Sequence, residues 1–246
     1  MKTFYLLFIS IFIISCKEKT FADDITLVYP KNTKMKIQEF NEDLDEYGME
    51  IVYFGVKNKK IDVRYYKHFY PIPINAIKKS DTLLLPYFRS RNLSQGETYY
   101  KDMSQELNSK NLVIVVKSND TIPLYKNNVF ENELKKYKAF PVFVKNISSK
   151  TLKIPTTTIF SFLFFKNQNN KWQSVRNSHY MIEGYGKIQP FFELKPNEIL
   201  VYAYPYFKKG KTHKAKVKFY DASSKEFDIS IDDEIIKNQR ESYFIE

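Results

Sequence analysis

Glycine, cysteine and histidine are all scarce in this chain, and each scarcity removes a class of function. Six glycines in 246 residues supply few of the tight backbone turns that cradle phosphates. Gly184-Tyr185-Gly186 is followed by Gln189, where a dinucleotide fingerprint needs its third glycine. No Walker loop and no G-x-S-x-G nucleophile elbow occur. The histidines number three, His68, His179 and His213. They are scattered, with no carboxylate or second histidine at ligand spacing, so a zinc site with its three or four ligands is not expected. The one cysteine, Cys16, leaves no intrachain disulfide and excludes the small disulfide-stapled class. No apolar run approaches the roughly 20 residues of a membrane-spanning helix. The most apolar internal segment, residues 159–165, has the length of a buried strand.

Acidic residues cluster once. The run from Glu39 to Glu50 holds six acids and no base. Laid on the calcium-loop template from Asp43, it gives Asp43, Asp45 and Gly48. Tyr47 then falls at the fifth position and Phe54 at the twelfth, where a bidentate glutamate belongs. The run is expected to be a solvated acidic loop. No catalytic residue, metal or cofactor is assigned.

Apolar residues make up 43% of the chain and aromatics 17%, ample for a core and inconsistent with disorder. The formal net charge of +11 is uneven. Residues 17–108 carry 15 Lys and Arg against 14 Asp and Glu, whereas residues 109–246 carry 23 against 14. That asymmetry suggests a boundary near Ser109 and assigns any anionic partner to the C-terminal half. Lys208, Lys209, Lys211, Lys214, Lys216 and Lys218 crowd into eleven residues. From His213 to Phe219 they alternate with Ala215, Val217 and Phe219. A strand's side chains alternate between faces, so one face is core and the other a lysine ladder. The ladder is the candidate anion-binding surface. Lysines on a strand also guard against edge-to-edge association. The tyrosine and phenylalanine pairs, such as Tyr65-Tyr66, Tyr99-Tyr100 and Tyr206-Phe207, suit cross-strand packing and could also stack on sugar rings.

Strand patterns dominate. In the first half they fall at residues 25–29, 35–40, 49–56, 61–66 and 82–88, with one helix pattern at 96–107. In the second half they fall at 111–117, 121–126, 137–146 (broken by Pro141), 152–154, 158–166, 172–176, 187–194, 198–206, 213–221 and 226–231. Many short strands separated by turn residues point to a β-sandwich. The expected organisation is a β-rich region at 25–108, a sandwich at 109–234 and a tail or short helix at 235–246.

The N-terminus carries Lys2, then an apolar stretch from Phe4 to Ile14, then Ser15 and Cys16. A charged start, a short apolar core and a small residue at the cut describe a secretory signal. Ile13-Ile14-Ser15-Cys16 resembles the lipobox of bacterial lipoproteins. The resemblance implies a signal peptide at 1–15, diacylation of Cys16, and a lipidated tether at 16–24. It leaves no free thiol for nucleophilic or metal chemistry. Lys17 after the cysteine does not resemble the inner-membrane retention signal, so the outer membrane is the expected location, on either face. The stretch 137–228, through Ala139–Ser148, Lys171–Val175, Leu194–Glu198 and Lys214–Tyr220, is similar to immunoglobulin-like domains of bacterial envelope lipoproteins of the Bacteroidota type. Together these features suggest a non-catalytic, lipid-anchored binding or structural module. Its partner would be an anionic envelope glycan or envelope protein. Nucleic acid is not expected for an exported chain. Two alternatives stand beside it: an accessory subunit of a surface or secretion complex, expected to expose an apolar patch, and a glycan hydrolase with two facing carboxylates.

Overall fold

The computed structural model describes residues 19–40, 46–47, 51–63, 88–89, 105–128, 133–155, 161–175 and 191–239. The described part of the chain is mainly β. Its strands are β1 (Thr26–Val28), β2 (Glu46–Tyr47), β3 (Ile51–Val56), β4 (Lys60–Asp62), β5 (Phe88–Arg89), β6 (Leu112–Val116), β7 (Ile122–Asn128) and β8 (Glu133–Asn146). They continue with β9 (Leu152–Pro155), β10 (Ser161–Lys166), β11 (Trp172–Val175), β12 (Phe191–Leu194), β13 (Glu198–Pro205), β14 (Lys211–Phe219), β15 (Ala222–Ser223) and β16 (Phe227–Ile231). A helical turn, α1 (Asp233–Lys237), closes the described chain. Asp232 caps it by accepting from the Glu234 amide at 2.8 Å. The signal and Cys16 lie outside the described residues, as does most of the expected helix at 96–107, of which Gln105 and Glu106 are helical.

One sheet runs β2-β7-β8-β13-β3, with β6 also on β8. It joins strands from both sides of Ser109. The other main sheet runs β11-β10-β14, with β15 and β16 on β14. Alternation decides how the two meet. In β8 and β13 the even-numbered residues Phe140, Val142, Val144, Leu200, Tyr202 and Tyr204 share a core with Leu163, Phe165, Ala215, Val217 and Phe219 of the second sheet. The two sheets therefore pack face to face.

The odd-numbered residues of the same strands are buried too. Tyr137, Ala139, Phe143, Ile199, Val201 and Ala203 pack against Ala22, Ile25, Ile61 and Val63. The N-terminal segment, with the parallel pair β1 and β4, thus forms a third layer on the back of the first sheet. Lys36 bridges to β8 in the plane of the first sheet, on the edge that β13 uses, its amide donating to the Lys136 carbonyl and its carbonyl accepting from the Lys138 amide. Burial on both faces explains why β13 is an almost unbroken apolar run.

Pro141 does not break its strand, contrary to expectation. β8 runs straight through it and pairs Pro141 with Ala203. On the other side β6 and β7 lie end to end along β8, interrupted between Val116 and Ile122. The Pro141 carbonyl accepts from the Lys117 amide in that interruption. In an antiparallel strand a residue's N and C=O point to the same side. The missing proline N–H therefore faces the gap, where no ladder bond is due.

The ladder of β8 and β13 turns a corner into that of β9 and β12. Asn146, fully buried, holds the bend. Its amide donates to the carbonyls of Lys150 (2.7 Å) and Leu194 (2.9 Å), and its oxygen accepts from the Ser148 amide (2.9 Å) and hydroxyl (2.8 Å). Gly210 shows why its turn needs glycine: a Cβ there would stand 2.0 Å from the Ile231 carbonyl oxygen.

Candidate anion-binding face

β14 lies between β10 and β16 in the second sheet. Ala215, Val217 and Phe219 are buried in the inter-sheet core, so Lys214, Lys216 and Lys218 occupy the opposite, outer face. The expected alternation is the one observed. Register then supplies the neighbours. Lys216 pairs across with Phe164, and Lys166 with Trp172.

The six lysines of the cluster divide. Lys208, Lys209 and Lys211 belong to the turn and the strand start. Lys208 pairs with Glu39, whose carboxylate raises the lysine's pKa, and Lys211 pairs with Asp233 at 3.1 Å. Lys209 is exposed. Lys214 pairs with Asp228 directly across on β16, at 2.8 Å, and this carboxylate raises its pKa.

Lys216 and Lys218 are placed differently. The Lys216 ammonium stands 4.4 Å from the centre of the Trp172 ring and 5.8 Å from that of Phe164. The Lys218 ammonium stands 5.4 Å from Phe164. Lys166 stands 5.1 Å from Trp172, also bridging to Glu226 at 3.2 Å. Three ammonium groups thus gather over two aromatic rings. Cation–π attraction holds each charge there, and the lysine stems shield Phe164, which is buried although it points outward. Burial lowers the pKa of Lys216, with the Lys166 charge acting in the same direction. Burial likewise lowers that of Lys218, and the Lys216 charge adds to it. Glu226 and Asp221 oppose these effects. An anion docked between the two ammonium groups would relieve their mutual repulsion.

Lys166 and Trp172 were not marked as site residues by sequence reasoning. The signal was present in the adjacent strand patterns ending at 166 and starting at 172. The pairing of β10 with β14, some fifty residues later in the chain, has no local signature.

Elsewhere, His213 sets its ring edge against Phe165 at 5.2 Å between centroids, and its buried Nε2 has no hydrogen-bond partner. His68 and His179, and the Gly184–Gly186 pair, lie outside the described residues. Of the acidic run, Glu46 and Tyr47 form β2 against Asn127 and Asn128. Among the described residues no group of three or more His, Cys, Asp or Glu could hold a metal ion, and no helix is long and apolar enough to cross a membrane. No protein-family model, curated protein or solved structure matches the chain.

Proposed function

We propose that this protein is a lipid-anchored module of the bacterial cell envelope, built on an immunoglobulin-like sandwich, that binds anionic glycans without catalysing a reaction. The observation that carries the reading is the gathering of Lys166, Lys216 and Lys218 over Trp172 and Phe164. Charges of one sign held together on apolar rings suit an anionic polymer, which brings carboxylates or phosphates to the ammoniums and sugar rings to the aromatic rim. Lys208, Lys209, Lys211 and Lys214 extend the basic surface, although Lys208, Lys211 and Lys214, like Lys166 within the cluster, have carboxylate partners. The lipobox resemblance at Cys16 supports the anchor, and the face-to-face packing of the two main sheets supports the sandwich.

The test is binding of polygalacturonate to the unlipidated Cys16→Ser protein at low salt, followed by fluorescence anisotropy. Lys216→Gln with Lys218→Gln should weaken binding by about tenfold, equivalent to about 1.4 kcal/mol. Glutamine keeps most of the stem over Phe164, so circular dichroism should be unchanged. Rising salt should weaken the wild type more than the double variant, because fewer ion contacts remain to be screened. Equal binding by the two proteins would contradict the proposal.

A further inference from the structure

We infer that Glu226 and Asp228 are built-in competitors of the ligand: carboxylates of the chain itself that hold lysines of the basic face and must be displaced before an anionic glycan binds there. The inference rests on the binding role proposed above and adds the residues that set its strength.

The acids line the lysine strand on one side. Asp228 pairs with Lys214 across the ladder of β14 and β16, and its carboxylate meets the Lys214 ammonium at 2.8 Å. Glu226 precedes Phe227, which pairs with Ala215. Continuing that antiparallel register by one step sets Glu226 beside Lys216. Its carboxylate bridges to Lys166 at 3.2 Å and attracts the Lys214 and Lys216 charges as well. Positions 226 and 228 fall on the same side of the sheet, because extended side chains alternate. Both carboxylates therefore share the outer face with the lysines. On the opposite flank of β14 lies β10, whose Phe164 pairs with Lys216. The lysine face has an acidic border on one side and an aromatic border on the other.

Cross-strand pairs of opposite charge can serve the sheet alone. Exposure argues for more than that. The side chains of Lys214 and Asp228 are 55% and 60% exposed, and that of Glu226 is 49% exposed. Exposed ion pairs are weak and screened by salt, so these add little to the fold. They nevertheless put a carboxylate where a carboxylate of the ligand would sit. Lys214 and Lys166 can receive a ligand only in molecules whose bridge is open, and apparent affinity falls by that fraction. A single acid group from solution would exchange one ion pair for another. A polymer that brings several at once gains from each further contact, which suits the site to a polyanion.

The experiment is polygalacturonate binding by fluorescence anisotropy at physiological ionic strength, where exposed charges beyond about 8 Å are largely screened. Glu226→Gln with Asp228→Asn, in the full-length unlipidated Cys16→Ser protein, should bind about threefold to fivefold more tightly than that parent, the range for releasing weak exposed pairs. Glu193→Gln with Asp62→Asn removes the same charge from β12 and β4 and should give a smaller gain. Lys214→Gln should cost more affinity beside Asp228→Asn than in the parent, because the bridge no longer holds its ammonium there; such coupling marks a direct pair. Equal binding by the Glu226 and Asp228 double variant and the parent, or an equal gain from the Glu193 and Asp62 changes, would overturn the inference and leave the binding role standing. If none of these proteins binds the polymer, both fail.

Discussion

Replacing Phe140 by alanine should cost about 3–5 kcal/mol of folding stability, the range for deleting a large buried aromatic side chain. Phe140 is fully buried on the inner face of β8. Its ring stacks on Tyr204 at 5.4 Å and meets Tyr206 and Phe227 edge-on at 5.8 and 6.2 Å. These contacts join the sheets. Phe227 belongs to β16, and the Tyr204 hydroxyl accepts from the Leu163 amide of β10 at 3.2 Å. Tyr206 in turn reaches the β6–β7 interruption, where its hydroxyl donates to the Asp120 carbonyl at 3.1 Å. The cavity left by alanine would free Tyr204 and Tyr206 as well as remove the phenyl group. Phe140→Leu, which refills part of the volume, should recover a substantial part of the loss. The midpoint of urea unfolding measures both. A Phe140→Ala midpoint equal to the wild type would show that the aromatic cluster does not join the sheets.

Asn146→Ala should cost about 3 kcal/mol, although it removes few atoms. Four hydrogen bonds converge on this one side chain at the corner between the β8/β13 and β9/β12 ladders. Its loss removes the buried bond to the Leu194 carbonyl together with three part-buried ones, and a buried group left unsatisfied costs about 1–3 kcal/mol. Asn146→Asp is the informative companion. It keeps the acceptor for Ser148 but turns a carboxylate toward the two carbonyls that the amide served. It should destabilise at least as much at neutral pH and partly recover in acid, once protonation restores a donor. Thermal unfolding across pH follows that recovery. A neutral outcome for both variants would remove Asn146 from its role at the corner.

The sequence carried some of this structure plainly. The outward lysines and inward Ala215, Val217 and Phe219 of β14 were legible because a strand repeats every two residues and the pattern is local. The turns at Ser118–Asp120 and Pro196–Asn197 were legible from their residue types; Asn197 takes φ 64°, a conformation asparagine tolerates. Pro141 misled because its effect depends on what lies opposite. A proline breaks a ladder only where a bond is due, and the interruption between β6 and β7 could not be seen from Pro141 alone. The third layer left a signal that alternation obscured. The run from Ile199 to Tyr204 is apolar at every position, as a strand covered on both faces must be. The aromatic floor beneath Lys216 and Lys218 left none, since it depends on the register between β10 and β14.

Lipidation at Cys16 is the claim on which the anchor and the compartment both rest. Its most direct test is metabolic labelling with an alkyne palmitate analogue in a Gram-negative host, with membrane fractionation of the wild type and Cys16→Ser. The account predicts labelled wild type sedimenting with the outer membrane, and an unlabelled, released variant. A Cys16→Ser protein that still sediments with membranes, beside a wild type that takes up no label, would contradict it.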